Sequence, residues 1–275
     1  MARFSDGDGF AELLNFSHMV APEVLGLKNG GFLAGFWLTG PDIESSTVQE
    51  LEHLSEMMAR AINQLDMRWC IHFEFFRREA HNYPDGNFKE TTTKLIDMER
   101  LAQFKQEQGH FESIQAIFIT YVPPTFEKSP LLQRIKKFLF GSDTENEDEV
   151  VEKQLERFEE VIRGLKDSLS LIMKVQRMTF HPDNVPDPYS GTSEILEAVN
   201  ACVNGNWHPI RLPAFPYYLD CTLAKDCING KNLEYNNEFV QCVSLVNYPA
   251  GTFPSILSDL QALPISFRWS NRFIL

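Results

Sequence analysis

Between residues 24 and 122 the spacing of apolar side chains switches repeatedly between two and about 3.6, which commits the chain to a mixture of strands and helices. Two short apolar runs flank Lys28-Asn29-Gly30-Gly31. Asn-Gly tolerates the positive φ that a tight hairpin needs, so Val24–Lys28 and Phe32–Leu38 read as paired strands. After Gly40-Pro41-Asp42, Ser46 stands three residues before Gln49 with capping-box spacing. Val48, Leu51, Leu54, Met58, Ala61, Ile62 and Leu65 follow at helical period and predict a helix over 47–66. Trp69, Ile71, Phe73 and Phe75 alternate with Cys70, His72, Glu74 and Phe76, a strand pattern that runs to Arg77-Arg78. A second helix is expected over 91–107, with Leu95, Met98, Leu101 and Phe104 on one face and Gly109 stopping it. Phe111–Val122 reads as a long strand closed by Pro123-Pro124. The order is β-β-α-β-α-β, whose simplest packing has sheet on one side and helices on the other.

The segment PLLQRIKKFLF at 130–140 is short, basic and amphipathic, and the acidic run Gly141–Glu149 after it holds no apolar residue. That run reads as a linker or as the start of the next helix, and the internal boundary is expected there. Val151, Leu155, Phe158, Ile162, Leu165, Leu169 and Ile172 then predict a long helix over 150–175. Met178–Pro188 reads as extended, Thr192–Val203 as a helix ended by Asn204-Gly205, Tyr217–Leu223 as a strand and Asn229-Gly230-Lys231 as a turn. Phe239–Tyr248 is expected as a strand, Pro254–Leu263 as a short helix and Ile265–Leu275 as a last strand. The fold class is therefore α+β, with two helix-on-sheet subdomains at 1–140 and 150–275 and mainly antiparallel strands. The strand pattern still runs at Leu275, from which we expect a fragment of a longer chain.

With 38 acidic residues against 25 basic and a net charge of −13, the chain lacks the broad basic footprint that duplex nucleic acid requires. Its five cysteines, at 70, 202, 221, 227 and 242, form no C-x-x-C pair and point to a reducing compartment. Asp6 and Asp8 stand where a signal peptide would be basic and then apolar. The longest apolar runs fall far short of the roughly 20 residues of a spanning helix.

Motifs for chemistry are mostly missing. The only Gly-Lys pair, Gly230-Lys231, is followed by Asn232 and has Lys225 at the first glycine position of a Walker A loop, so it reads as a turn. His72 and Glu74 form H-x-E on a strand, the triplet that zinc deaminases use, but the P-C-x-x-C partner is absent and a polar sheet face is the preferred reading. His110, His181 and His208 lie near turns and read as structural, and Cys221 and Cys227 as small buried hydrophobes. The candidate contact residues are Leu131, Arg134, Ile135, Lys136, Lys137 and Phe138 on the basic helix, for a partner or an anionic membrane surface. Gly31, Phe32 and Trp37 on the hairpin strand complete the set.

A set of short pieces in a fixed order gives the chain a family resemblance. Gly40-Pro41-Asp42 with Ser45 and Thr47, Arg77-Arg78 before Tyr83-Pro84, and Ile96-Asp97 with Glu99-Arg100 come first. His110-Phe111-Glu112-Ser113, Thr120-Tyr121 with Pro123-Pro124, Tyr248-Pro249, Leu263-Pro264, Arg268-Trp269 and Arg272-Phe273 follow. Together they resemble, from end to end, the N-terminal domain of TrbE-type conjugal transfer ATPases of the VirB-type type IV secretion family. The resemblance implies a protein at the cytoplasmic face of the bacterial inner membrane. There it would join the machine that builds conjugative pili and moves DNA or protein, with other inner-membrane subunits and further copies as partners. It also implies a RecA-like motor domain, with ATP and magnesium, beyond the segment seen here; no Walker residue carries over, so no cofactor is expected in these residues. The expected role is a non-catalytic docking and assembly domain. The competing reading is a self-contained enzyme built from scattered groups such as His72, Glu74 and Asp97; a bound metal or nucleotide would favour it, and an exposed apolar patch or unpaired strand edge would favour docking.

Overall fold

The computed structural model describes residues 10–41, 45–80, 82–84, 86–107, 109–123, 144–183, 190–212, 218–223, 227–228, 233–235, 238–244, 251 and 258–274. The described elements run α1 (Phe10–Leu13), β1 (Phe16–Ala21), β2 (Val24–Leu27), β3 (Phe32–Thr39), α2 (Val48–Ile62), β4 (Trp69–Glu79), α3 (Thr91–Gln106) and β5 (Phe111–Tyr121). Then come α4 (Thr144–Ser170), β6 (Lys174–Arg177), β7 (Phe180–Pro182), β8 (Gly191–Ser193), α5 (Glu194–Asn204) and α6 (Leu219–Leu223). Last are β9 (Cys227–Ile228), β10 (Leu233–Tyr235), β11 (Glu238–Val240), α7 (Ser258–Gln261) and β12 (Phe267–Ile274).

A seven-stranded sheet in the order β1-β2-β3-β5-β4-β12, with β6 beside β3, is the frame. Its pairings are antiparallel, as the α+β reading expects. Residues directly opposite in such a ladder share a face, so the register builds rows across the sheet. Phe32 faces Tyr121 and Tyr121 faces Trp69; Ala34, Ile119 and Ile71 form the next row, and Phe36, Ile117 and Phe73 the third. These rows pack on α2 and α4 around Phe158, whose ring stacks on Trp69 at 5.6 Å.

The alternate residues of the same strands are buried too. Leu33, Phe76, Ala116 and Phe118 pack with Met178 and with Ile195, Leu196 and Val199 of α5. Helices therefore cover both faces, the second one supplied by residues beyond 190. The sheet also reaches across the acidic run, because β6 and β12 come from after it. Residues 141–143 lie outside the described set, and from Thr144 the backbone is already the opening of α4.

Three local expectations are corrected. The α2 cap is Thr47, one residue after Ser46: Glu50 N–H donates to Thr47 Oγ1 at 3.3 Å and Thr47 N–H to Glu50 Oε2 at 2.7 Å. The Glu50 carboxylate accepts that bond better than the neutral amide of Gln49 would. The strand expected over 217–223 is instead α6, because Leu219 and Leu223, four residues apart, both reach the α5 core. The strand expected from Phe239 stops at Val240, where its partner β10 offers only three residues, and 241–244 carry no strand. The remainder of that expected strand, 245–248, and the turn at 229–231 fall outside the described residues, as do the side chains of Cys221 and Cys227. Strand β1 has no counterpart among the expected elements.

Candidate functional site

His72 and Glu74 share the face of β4 that looks toward α5, in a polar row completed by β12, with Arg272 opposite His72 and Ser270 opposite Glu74. Glu74 is 4% exposed. Its carboxylate accepts from Arg268 Nε at 2.7 Å, Arg268 Nη2 at 3.1 Å and Ser270 Oγ at 2.6 Å. Arg268 also donates to the Cys202 carbonyl on α5. Both oxygens of Glu74 are thus taken by structural donors, an arrangement suited to an anchor rather than to acid–base work. Burial, and then the Arg272 charge, holds the His72 imidazole below its ordinary pKa. Burial likewise pushes the Cys202 thiol up to about 12, far from a nucleophilic thiolate. Asp97, the third residue of the enzyme reading, sits on α3 and accepts from Tyr83 OH at 2.8 Å. It belongs to a different region of the surface.

Acidic residues stand at or near several helix starts. Glu50 closes the α2 cap, Glu90 stands at the N-cap of α3, α4 opens TENEDE, and Glu194 and Glu197 fill the first turn of α5. Among the described residues no group of three or more His, Cys, Asp or Glu could hold a metal.

Of the expected contact residues, Leu131, Arg134, Ile135, Lys136, Lys137 and Phe138 lie outside the described set. The structure buries Gly31 and Phe32 and half-buries Trp37. Strand β3 has neighbours on both edges, Phe32 belongs to the α2/α4 core, and Trp37 packs on Trp207 while its indole donates to Glu194 Oε2 at 3.1 Å. Glu194 also accepts from Thr179 N–H and His181, so this corner ties α5 to the sheet.

One open face among the described residues belongs to α3, none of whose residues is buried. Leu101 and Phe104 lean on the domain, Phe104 stacking on His110 at 4.3 Å and meeting Tyr83 edge-on at 5.6 Å. A half-open cleft of about 570 Å³ lies behind them, lined by Tyr83, Leu101, Phe104 and His110 among others. Leu95 and Met98 are 67% and 58% exposed, about 60° apart on the helix, and Ile96, about 100° round from Leu95, is exposed too. The expected single apolar face is corrected by geometry: residues spaced by three drift about 60° per step on a helix with about 100° per residue. Leu95 and Phe104 therefore stand on opposite sides. The signal was present in the spacing, and the outward half is an apolar patch bordered by exposed Lys94, Glu99 and Arg100. Such a patch suits binding rather than chemistry.

Comparison with known proteins gives the surface its context. A family model described as type IV secretion system ATPase VirB4/TrbE, N-terminal domain, matches residues 23–129. A second, described as CagE, TrbE, VirB family, component of type IV transporter system, matches residues 188–273. In Sinorhizobium fredii the probable conjugal transfer protein TrbE is divided between two chains, and the first is 36% identical over 130 residues, 46% of this chain and 87% of that protein. The chain belongs to the VirB4/TrbE family. Another member, conjugal transfer protein TrbE of Rhizobium radiobacter, is 32% identical over 273 residues, 98% of this chain and 33% of that protein. The chain thus spans about one third of the length of that relative. The second of the two Sinorhizobium fredii chains is 31% identical over 119 residues, 42% of this chain and 18% of that protein. The matched family models describe components of type IV secretion or transporter systems, and the matched relatives are named as conjugal transfer proteins; no described helix is long and apolar enough to cross a membrane.

Proposed function

We propose that these residues form the docking and assembly region of a conjugal-transfer secretion ATPase, holding the motor to inner-membrane subunits for pilus biogenesis and translocation. The observation that carries the reading is α3, a 16-residue helix with apolar residues on two opposite sides and only one side used by its own domain. An exposed apolar patch rimmed by polar residues suits the surface of a partner. The place is the cytoplasmic face of the bacterial inner membrane, where the basic 131–138 segment would add peripheral attachment. ATP and magnesium would belong to the ATPase motor that the family description names.

Two measurements test this. Co-purification of the secretion system's inner-membrane subunits with the chain should succeed, and the doubly substituted Leu95→Lys, Met98→Lys chain should lose them. Calorimetric titration of residues 1–275 with Mg-ATP should be silent, while the same chain extended through the length of its relatives binds and turns over ATP. Retention of the subunits by the double variant, or ATP turnover by residues 1–275, overturns the proposal.

A further inference from the structure

Helix α3 has an outer stripe as well as the inner one. At about 100° per residue, Thr91, Leu95, Met98 and Ala102 fall within about 60° of one another, and all four are exposed. The half-buried Thr93, Asp97, Leu101 and Phe104 form a separate stripe toward the domain, so the outer one shares no residue with it. Its steps of four, three and four residues are those of the a and d positions of a heptad. That spacing keeps side chains facing a second helix that crosses at about 20°. Ala102 is the smallest residue of the stripe and leaves room for a large apolar side chain of the facing helix, because packed layers set large against small.

The flanks of the stripe differ in charge. Lys94 and Lys105 stand about 20° apart on one side, and Glu99 stands on the other, about 40° from Leu95. In helix pairs these flanking positions choose partner and orientation. The complement is a helix with carboxylates along the side that meets the two lysines and a basic residue opposite Glu99. A lipid surface fits less well, since an interfacial helix presents a broad apolar face with aromatic residues in it and cations around it. This stripe holds no aromatic residue and is bordered by Glu99, and Ile96 stands outside it, about 100° from Leu95.

We propose that the outer stripe of α3 receives an amphipathic helix of an inner-membrane subunit, with a large apolar side chain against Ala102 and carboxylates beside Lys94 and Lys105. The inference deepens the docking reading and rests on it. The stripe is short, so its charged flanks act on association rate and register more than on affinity.

Photo-crosslinking tests the geometry. The chain is produced with p-benzoylphenylalanine at one position at a time, together with the system's inner-membrane subunits. Positions 95, 98 and 102 should link to a subunit at several-fold higher yield than positions 96 and 100. Mass spectrometry of the linked peptide should show apolar residues at spacings of three and four with acidic residues along one flank. Lys94→Glu with Lys105→Glu should slow subunit capture about tenfold at low salt and much less at high salt, and Arg100→Glu, outside the stripe, should slow it far less. Equal yields at 96 and 100, links to lipid or to a second copy of the chain, a linked peptide without helical period, or a capture rate indifferent to the lysine reversal each overturns the proposal. If the parent still captures the subunits in those cases and the Leu95→Lys, Met98→Lys chain does not, the helix inference falls and the docking reading stands. A parent chain that captures no subunit removes both.

Discussion

Arg268 on β12 grips Glu74 on β4 through two hydrogen bonds, 2.7 Å from Nε and 3.1 Å from Nη2, across 194 residues of sequence. The pair fixes the last described strand to the sheet and, through the Cys202 carbonyl, to α5. Arg268→Ala would leave a buried carboxylate with Ser270 as its remaining donor on β12. Breaking a buried pair costs about 3–5 kcal/mol, and partial exposure of the guanidinium reduces this to about 2–3 kcal/mol. Urea unfolding should show that loss, and Glu74→Gln with Arg268→Met should recover part of it.

Acidification should weaken the fold through His72. Burial first, and the Arg272 charge second, lower its folded pKa against an opposing pull from Glu74. Below the ordinary histidine value of about 6.5 the unfolded chain therefore takes up the proton before the folded one does. The neutral ring contributes its full stability above that pH, and the contribution is lost as pH falls toward the folded pKa. Unfolding free energies at about pH 7.5 and about pH 5.5 should differ less in His72→Gln than in the parent. Equal slopes would remove His72 from the acid response.

Gly31 should behave as a packing residue. A Cβ there would stand 2.6 Å from the Tyr121 carbonyl oxygen, a backbone atom of β5 that cannot turn aside. Gly31→Ala then has to separate the β2–β3 turn from the end of β5, at a cost of about 1–3 kcal/mol. A fall in melting temperature with unchanged subunit capture is the expected result.

How much of this was legible in the sequence depended on whether the cause was local. The β2–β3 hairpin, α2, β4, α3 and β5 were readable because turn chemistry, capping and side-chain period all act within a few residues. Strand β1, reading FSHMVA, has no clean alternation, and its pairing with β2 has two register irregularities, so period carried no signal. The placement of β6 and β12 in the central sheet was hidden for another reason: pairing between residues 74 and 270 is a long-range choice that neither strand's pattern encodes. Glu74 shows the consequence. As one half of H-x-E it looks like chemistry, and only the arrival of Arg268 and Ser270 makes it a structural anchor.

Helical period alone does not decide which side of a helix faces inward, and α3 makes that measurable. Leu101 and Phe104 lean on Tyr83 and His110, whereas Leu95 and Met98 face outward. Phe104→Ala should cost about 2 kcal/mol, less than for a fully buried phenylalanine because this ring is half-buried. Met98→Lys and Leu95→Lys exchange exposed helix formers for a residue of similar helix propensity and should each stay within about 0.5 kcal/mol of the parent. Chemical unfolding of the three single variants separates the cases. If Met98→Lys were as damaging as Phe104→Ala, the outward face would be part of the domain's own core and no surface would remain on α3 for a partner; near-neutral Lys variants that lose inner-membrane subunits would locate the docking face on Leu95 and Met98.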